Sequence, residues 1–387
     1  MKQKVIGFIE HIRDELIGIS KFLYDNPETS YKEYKAQDIL TKTLEKYSFK
    51  VEKNFIGLGT EFKATFGSGT PVITYLCEYD SLPEIGHGCG HNLIAVSGIA
   101  AAIGLSRIIE QIGGCIVVLG TPAEETNGAK VYMAQKNVFD NMDVAIMIHP
   151  SNTTSESGIS LAIDALQFNF KGKAAHAASN PEQGINALNA CIETFNLINA
   201  LRQHVTSDVR IHGIISEGGT APNIIPDRAV AKFYVRSLKR SYLNEINEKV
   251  KVCAKAAALG TGAELEISNY ELSYDNMITN RTLSRLLCHN LKECGIIEIN
   301  GPKNSVGSID MGNVSHVIPS IHPYIKICDE NIIPHTKEFA ESTQNTLAQD
   351  NMIKAACAMA LTGYDIIINK DLLIEIKEEF QKQKCLC

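Results

Sequence analysis

The N-terminal part of the chain combines apolar residues at helical spacing with short, uninterrupted apolar runs. Helical spacing holds from Val5 to Leu23, where Asn26-Pro27 ends it, and a second apolar face runs from Ala36 to Leu44. Runs rich in β-branched residues at 71–77, 115–119 and 144–148 predict strands that are covered on both faces. Helical stretches at 93–109 and 128–135 separate these strands. The alternation predicts an α/β layer structure.

After about residue 160 the order of the predicted elements changes. We predict a strand at 162–172, a helix at 184–202, strands at 209–217 and 229–236, a helix at 243–259 and a strand at 263–271. This β-α-β-β-α-β order is the split motif of a small two-layer sandwich. A strand at 318–327 and a helix at 347–361 follow. The chain therefore reads as an α/β domain in two parts, 1–162 and 274–387, with a separate domain inserted at 163–273.

Composition narrows the possible partners. The chain has 387 residues, of which 44% are hydrophobic and 21% charged, an ordinary globular mix, and its net charge is −7. Without a long basic block, nucleic acid is not an expected partner. Without an apolar run of about 18 residues, neither is a membrane. The 11 cysteines show no spacing framework, and the N-terminal segment reads as an amphipathic helix, so we expect a cytoplasmic location.

Polar residues that can bind metal follow several of the predicted strands. The candidates are Glu78 and Asp80 after the first strand, His87, Cys89 and His91 in the next connection, Glu124 and Glu125 after the second strand, His149 after the third, and His322 and His335 near the last. Ligands of open α/β sheets gather outside the carboxyl ends of the strands. Thiolate, imidazole and carboxylate groups together favour a divalent ion such as zinc.

Each of these residues also has an ordinary explanation when it is taken alone. A single cysteine such as Cys89 is often a small core residue, and a single histidine is more often a satisfied polar group than a ligand. The pair Glu124-Glu125 is compatible with the start of a helix. In a metal-dependent hydrolase, however, one of two adjacent carboxylates can bind metal while the other moves a proton, and Cys89 is a candidate bridge between two ions.

Seven segments together resemble metallopeptidase family twenty, the aminoacylase, carboxypeptidase G and peptidase T-like di-metal hydrolases. They are EYDSLP at 78–83, HGCGHNL at 87–93, PAEE at 122–125, HP at 149–150, GKAAHA at 172–177, GGTAPNIIP at 218–226 and HTKEF at 335–339. The resemblance is closest to the amidohydrolase branch that holds aminobenzoyl-glutamate hydrolase and the aminoacylase-one-like dipeptidases. It implies a central, mostly parallel sheet flanked by helices, as in di-zinc exopeptidases, with an inserted ferredoxin-like lid that also forms a homodimer.

The resemblance also implies a role for each matching residue. Cys89 would bridge two divalent ions, zinc or manganese. One ion would be completed by His91 and His149, and the other by Glu125 and His335. Glu124 would be the general base, and His176 of the partner's lid would stabilise the oxyanion. Asn223 and Arg236 would hold the substrate.

The sequence departs from the family's pattern at two places. The wider family has a His-x-Asp triplet with a metal-binding histidine where this chain has Glu78-Tyr79-Asp80. His91 is therefore expected to replace that ligand, and Asp80 to orient a ligand. Lys337 stands where proline is usual after the last histidine, so His322 remains a rival to His335 for the metal. We place His335 first and read His322 as a residue beside the ligands or the substrate.

The resulting hypothesis is a metal-dependent amidohydrolase that cleaves N-acyl or N-aroyl amino acids or small dipeptides. One alternative is a cysteine amidase in which Cys89 is the nucleophile and His91 or His149 the base. A second alternative is a non-catalytic metal-binding protein on the same scaffold. The acyl group, the amino acid and the choice between zinc and manganese stay open at this point.

Overall fold

A computed structural model describes residues 1–303 and 307–385 of the chain. Its helices are α1 Lys2–His11, α2 Arg13–Asp25, α3 Tyr34–Lys46, α4 His91–Ile112, α5 Ala129–Gln135, α6 Ala187–Leu201, α7 Arg240–Thr261, α8 Arg281–Glu293, α9 Met311–Ser315, α10 Lys337–Ser342, α11 Thr346–Ile368 and α12 Lys370–Lys384. Its strands are β1 Lys50–Lys53, β2 Phe62–Ser68, β3 Val72–Cys77, β4 Gly114–Gly120, β5 Val144–Ile146, β6 His149–Ser151, β7 Ala162–Lys171, β8 Arg210–Glu217, β9 Arg228–Ser237, β10 Glu264–Asn269, β11 Ser320–Ile321 and β12 Tyr324–Lys326. Two 3₁₀ turns lie at Pro181–Gln183 and Arg202–His204.

The chain forms two compact units. One holds residues up to 159 and most of those from 277 onward, and the other holds 160–276 with residues 307 and 308. The first unit is built on a six-stranded sheet with the order β1-β2-β4-β3-β5-β11. Strands β4, β3, β5 and β11 are parallel, while β2 and β1 are antiparallel additions at one side. Strands β3 and β4 are buried along their whole length, as their continuous apolar sequence requires.

Two long apolar helices, α4 and α11, pack against each other in the first unit. By length and composition alone both could cross a membrane, but 94% and 78% of the residues in their most apolar 18-residue stretches are buried inside the protein. Their apolar surface therefore belongs to the core, where Ile99, Ile103 and Ile353 are fully buried.

The second unit is an antiparallel sheet with the order β10-β7-β9-β8, and helices α6 and α7 pack against it. Alternate residues of β9, including Ala231, Phe233 and Val235, are fully buried beneath the helices. Along the chain the elements run β7, α6, β8, β9, α7, β10. The predicted fold class is confirmed: an α/β unit with a mostly parallel sheet, and a separate β-α-β-β-α-β unit.

Three local predictions differ from the structure. The first predicted helix is two helices, because Ile12 leaves the helical conformation (φ −99°, ψ 13°) between α1 and α2. Strands β1 and β2 were not predicted. The strand expected at 318–327 is divided into β11 and β12, which lie in different sheets. The division falls at His322-Pro323, where the proline cannot donate to a ladder of backbone hydrogen bonds.

Candidate metal centre

The candidate ligands converge because the sheet topology brings their strand ends together. Strand β3 lies between β4 and β5, so the connection from β3 to β4 and the connection from β4 to β5 run in opposite directions along the sheet. Ligands of open α/β sheets bind outside the carboxyl ends of the strands at such a point. Asp80 follows β3, Glu125 follows β4, and His149 follows β5 by way of a short link. Cys89 and His91 stand at the start of α4, which begins after Gly90 in a left-handed conformation (φ 80°).

Cys89 is common to two groups of potential ligands. Its sulfur lies with the ring nitrogens of His91 and His149 in one group, and with Glu125 and His335 in another, all ligand atoms of each group being within 4.8 Å of one another. The Cys89 Sγ atom is 3.4 Å from His149 Nε2 and 3.4 Å from His335 Nε2. A third group consists of His91, Glu124 and Glu125. The structure thus brings together the five predicted ligands and the predicted base.

The donor set fits a divalent ion of the zinc type. Two buried ligand atoms, His91 Nε2 and Glu125 Oε1, have no hydrogen-bond partner in the described part of the chain, although buried polar groups are normally paired. They lie 3.8 Å apart. Thiol, imidazole and carboxylate are the ligands that zinc takes in proteins, and a cation between them would satisfy both unpaired atoms.

Asp80 contacts two of the candidate ligands, His91 and Glu125. Its backbone carbonyl and its Oδ1 each lie 2.9 Å from His91 Nδ1, so the opposite ring nitrogen, Nε2, is directed into the cluster. Its second oxygen, Oδ2, accepts a hydrogen bond of 3.0 Å from the backbone N–H of Glu125. His149 is oriented in the same way, because its Nδ1 lies 2.7 Å from the carbonyl of Pro150.

Burial and neighbouring charges shift the pKa values of Cys89, His149 and Glu124 in different ways. Burial raises the pKa of the Cys89 thiol, which is the opposite of what a nucleophilic cysteine needs, whereas coordination to a metal deprotonates a thiol outright. Burial, followed by the neighbouring His322, lowers the pKa of His149 to about 3, so its ring is neutral and able to bind metal. Burial, Glu78 and Glu125 raise the pKa of Glu124 well above its usual range. A carboxyl of raised pKa is suited to carrying a proton near neutral pH.

The loop that carries Glu124 depends on a residue that sequence reasoning missed. Ala123 has a positive φ of 63°, which is unusual for a residue other than glycine, and its N–H donates a 3.0 Å hydrogen bond to Glu33 Oε1. The other oxygen of Glu33 accepts a 2.7 Å bond from Thr60 Oγ1. Since Glu33 is ninety positions away in sequence, no local signal could have associated it with this loop.

Two further candidate histidines of the first unit, His322 and His87, lie beside the candidate ligands or in their loop. His322 is buried, and its ring lies 5.3 Å from the ring of His149 and 5.2 Å from that of Tyr324. It therefore lies beside a candidate ligand, and the described groups of three or more potential ligands contain His335 instead. His87 is buried with its Nε2 3.1 Å from the carbonyl of Leu23, so it holds the loop in place.

Of the three predicted site residues of the second unit, His176 and Asn223 lie on adjacent segments, and Arg236 lies on strand β9. His176 forms a bridge with Ile224, and the N–H of Ala177 donates to the carbonyl of Asn223 at 3.0 Å. The Nδ1 atom of His176 accepts from the backbone N–H groups of residues 178 and 179, at 3.2 and 3.1 Å. The neutral ring therefore carries its proton on Nε2, which leaves an exposed donor. Arg236, on β9, is half-buried and donates from Nη1 to Ser308 at 3.2 Å.

A mostly parallel sheet with such ligand groups at its strand ends is an arrangement that a metal-dependent hydrolase can use. Comparison with known proteins identifies the family, which is one of metallopeptidase-type amidohydrolases and dipeptidases. Residues 162–261 match the peptidase dimerisation domain of the M20 family. Xaa-Arg dipeptidase from Mus musculus is 36% identical to this chain, and the match covers 98% of this chain and 92% of the relative. The B subunit of p-aminobenzoyl-glutamate hydrolase from Escherichia coli is 27% identical, over 97% and 93% of the two chains.

Solved structures show the same fold. A dinuclear metal-binding peptidase of the M20 family from Bacillus subtilis superposes with a TM-score of 0.65 at 19% identity, covering 91% of this chain and 99% of that one. This chain belongs to the M20 peptidase family. It is a hydrolase of amide or peptide bonds.

Proposed function

We propose that the protein is a di-metal dipeptidase or aminoacylase in which Glu124 is the general base. The observation that carries this proposal is the position of Cys89 between two ligand groups, with Glu124 beside one of them. Cys89 with His91 and His149 would hold one ion, and Cys89 with Glu125 and His335 the other. Two such ions, when bound, would polarise a scissile carbonyl and lower the pKa of water.

The protein's own residues supply the remaining steps. Glu124, whose raised pKa suits proton transfer, takes a proton from the attacking water and passes it to the leaving amine. His176 Nε2–H donates to the oxyanion of the tetrahedral intermediate, a role for which its tautomer is fixed by two backbone N–H groups. The cysteine-nucleophile alternative is disfavoured, because the buried Cys89 thiol is not activated and the scheme leaves Glu125 without a role.

We propose zinc or manganese as the ions. The shared thiolate favours zinc, while the carboxylate and imidazole ligands accept either metal. Since all the described cysteines are free thiols, the proposed location is a reducing cytoplasm.

We propose that the second unit forms a homodimer through its edge strand β8. This strand has one neighbour in the sheet and exposes Ile214 and Ile215 by 62% and 40%. Exposed apolar side chains on an unpaired strand edge favour pairing with another chain. Helix α6 adds Ile192 and Leu197, which are 42% and 38% exposed. A second copy of the chain would cover these residues, in keeping with the family's dimerisation domain.

We propose small dipeptides with a basic C-terminal residue as the preferred substrates, with N-acyl amino acids as the broader class. The support is the likeness to Xaa-Arg dipeptidase over nearly the whole chain. Arg236 is suited to a substrate carboxylate. Near it, Glu271 accepts hydrogen bonds of 2.8 Å from Tyr234 and contributes to the electrostatic environment of Arg236, which makes it a candidate partner for a guanidinium.

The roles of the adjacent carboxylates are tested by making the same change at each. We expect Glu124→Gln to keep both ions and to lose about 10²–10⁴-fold in kcat, the usual contribution of a general base. Glu125→Gln serves as the matched variant and is expected to lose one ion. Metal content is measured by mass spectrometry, and turnover with a dipeptide that ends in arginine. Loss of metal from the Glu124 variant with partial activity retained would show that the roles are reversed.

A further inference from the structure

A fully buried lysine lies between two buried carboxylates behind the metal centre. Lys130, on α5, donates from Nζ to Glu78 Oε1 at 2.6 Å and to Asp310 Oδ1 at 2.8 Å. All three side chains are at most 1% exposed. The backbone N–H of Lys130 also donates to Asp310 Oδ2, at 3.3 Å. We call these three residues the Lys130 triad.

The triad carries more negative charge than its lysine requires. Asp310 alone would neutralise Lys130, so the carboxylate of Glu78 leaves the triad with one excess negative charge in a region without solvent access. A buried charge is costly unless a counterion or hydrogen bonds compensate it. The excess charge therefore favours a cation at the position that Glu78 faces.

The second oxygen of Glu78 shows where that cation would lie. Glu78 Oε2 is buried and has no hydrogen-bond partner among the described residues. It faces His91 Nε2 at 3.5 Å, and that nitrogen likewise has no hydrogen-bond partner among the described residues. A zinc–nitrogen distance is about 2.1 Å, so an ion bound at His91 Nε2 would lie within about 5.6 Å of Glu78 Oε2. Charges at this separation interact strongly when water is excluded.

We propose that Glu78 is a further determinant of the metal centre: its free oxygen, held in place by Lys130 and Asp310, faces the ion that His91 binds and raises the affinity of that position for a divalent cation. The proposal rests on the di-metal function proposed above. Lys130 fixes one oxygen of Glu78 and thereby orients the other, so Lys130 and Asp310 are positioning residues. The resemblance assigns the metal position to His91 and gives Glu78 no role.

The test is a titration of the metal-free protein with Zn²⁺ by calorimetry. We expect Glu78→Gln to lower the affinity for one of the two ions by about 10–100-fold and to leave the affinity for the other unchanged. This is the usual effect of removing a group that supports a metal ligand. The control is Asp143→Asn. Asp143 is a buried carboxylate that pairs with Lys377 and accepts from the N–H of Val72, at the opposite end of β3. The Asp143→Asn variant should be less stable than wild type but should bind both ions with wild-type affinity.

A second variant covers the case in which Glu78→Gln does not fold. Glu78→Gln with Lys130→Met removes a pair of opposite charges and keeps the net charge of the triad. We expect the affinity for one ion to be lowered in this variant as well, because the carboxylate that faces His91 is gone. Wild-type affinity for both ions in Glu78→Gln, or its return in the double variant, would overturn the inference. If the wild-type protein does not bind two ions, the di-metal proposal itself fails.

Discussion

The buried carboxyl of Glu33 makes the stability of the protein depend on pH in a way that one substitution can isolate. Its side chain is fully buried, and it accepts hydrogen bonds from the N–H of Ala123 and from Thr60 Oγ1. Burial raises the pKa of Glu33 from 4.5 to about 7 despite these bonds. Replacement by Gln keeps the size and the acceptor for Ala123, and its amide can donate to Thr60, but it removes the titration.

The sign and size of the effect follow from this shift. Because the folded state holds the proton more tightly than the unfolded state, the contribution of the protonated carboxyl to stability is lost as pH rises from 4.5 toward 7. At about 1.36 kcal/mol for each pKa unit, the free energy of unfolding should fall by about 2–3 kcal/mol between pH 5 and pH 8 on account of Glu33 alone. Glu33→Gln lacks this contribution at either pH.

The assay is urea unfolding of wild type and Glu33→Gln at pH 5 and pH 8, with a chelator present so that metal binding does not intervene. The quantity of interest is the difference between the two proteins at each pH, because other groups titrate equally in both. Between pH 5 and pH 8, the free energy of unfolding of wild type should fall by about 2–3 kcal/mol more than that of Glu33→Gln. A difference that stays constant within about 0.5 kcal/mol, a typical error of such comparisons, would refute the reasoning.

Three further predictions concern the centre and the second unit. Asp80→Asn should weaken metal binding by about 10–100-fold in a Zn²⁺ titration, since Asp80 contacts the candidate ligand His91 at 2.9 Å. Unchanged affinity would contradict a role for Asp80 in orienting His91. His176→Ala should keep its metal and lose about 10²–10³-fold in kcat. Mixing it with Glu124→Gln should restore part of the activity if His176 acts across the dimer, and an inactive mixture after proven subunit exchange would count against that. Ile214→Lys should give monomers in analytical ultracentrifugation, whereas an intact dimer would exclude β8 as the interface.

The elements that position the site could be predicted where the sequence pattern is local. The apolar runs of β3, β4 and β5 indicated buried strands, so the residues that follow them could be expected at one edge of a sheet. Strands β1 and β2 were missed because they are antiparallel additions whose residues are partly exposed and whose connection, 54–61, is largely a run of bends that contains Gly57 and Gly59. Their pairing depends on long-range contacts.

The supporting residues of the site could not be predicted for a related reason. Lys130 lies on a short helix and reads as an exposed residue, yet it is fully buried because Glu78 and Asp310 compensate its charge. Asp310 is separated from it by 180 positions. Spacing along the chain carries no information about such pairs. The candidate ligands could be named because they follow predicted strands and match the motifs of the family, whereas the residues that contact them come from distant parts of the chain.

The central claim is that turnover requires two ions held by the cluster around Cys89. The most direct measurement is the rate of hydrolysis of a dipeptide ending in arginine by metal-free protein, as Zn²⁺ or Mn²⁺ is added in known amounts. We predict no turnover without metal, a rise on addition, and a plateau at about two ions per subunit, the number that the two ligand groups provide for. Full activity in the presence of excess chelator, combined with inactivation by alkylation of Cys89, would contradict the account and favour the cysteine amidase.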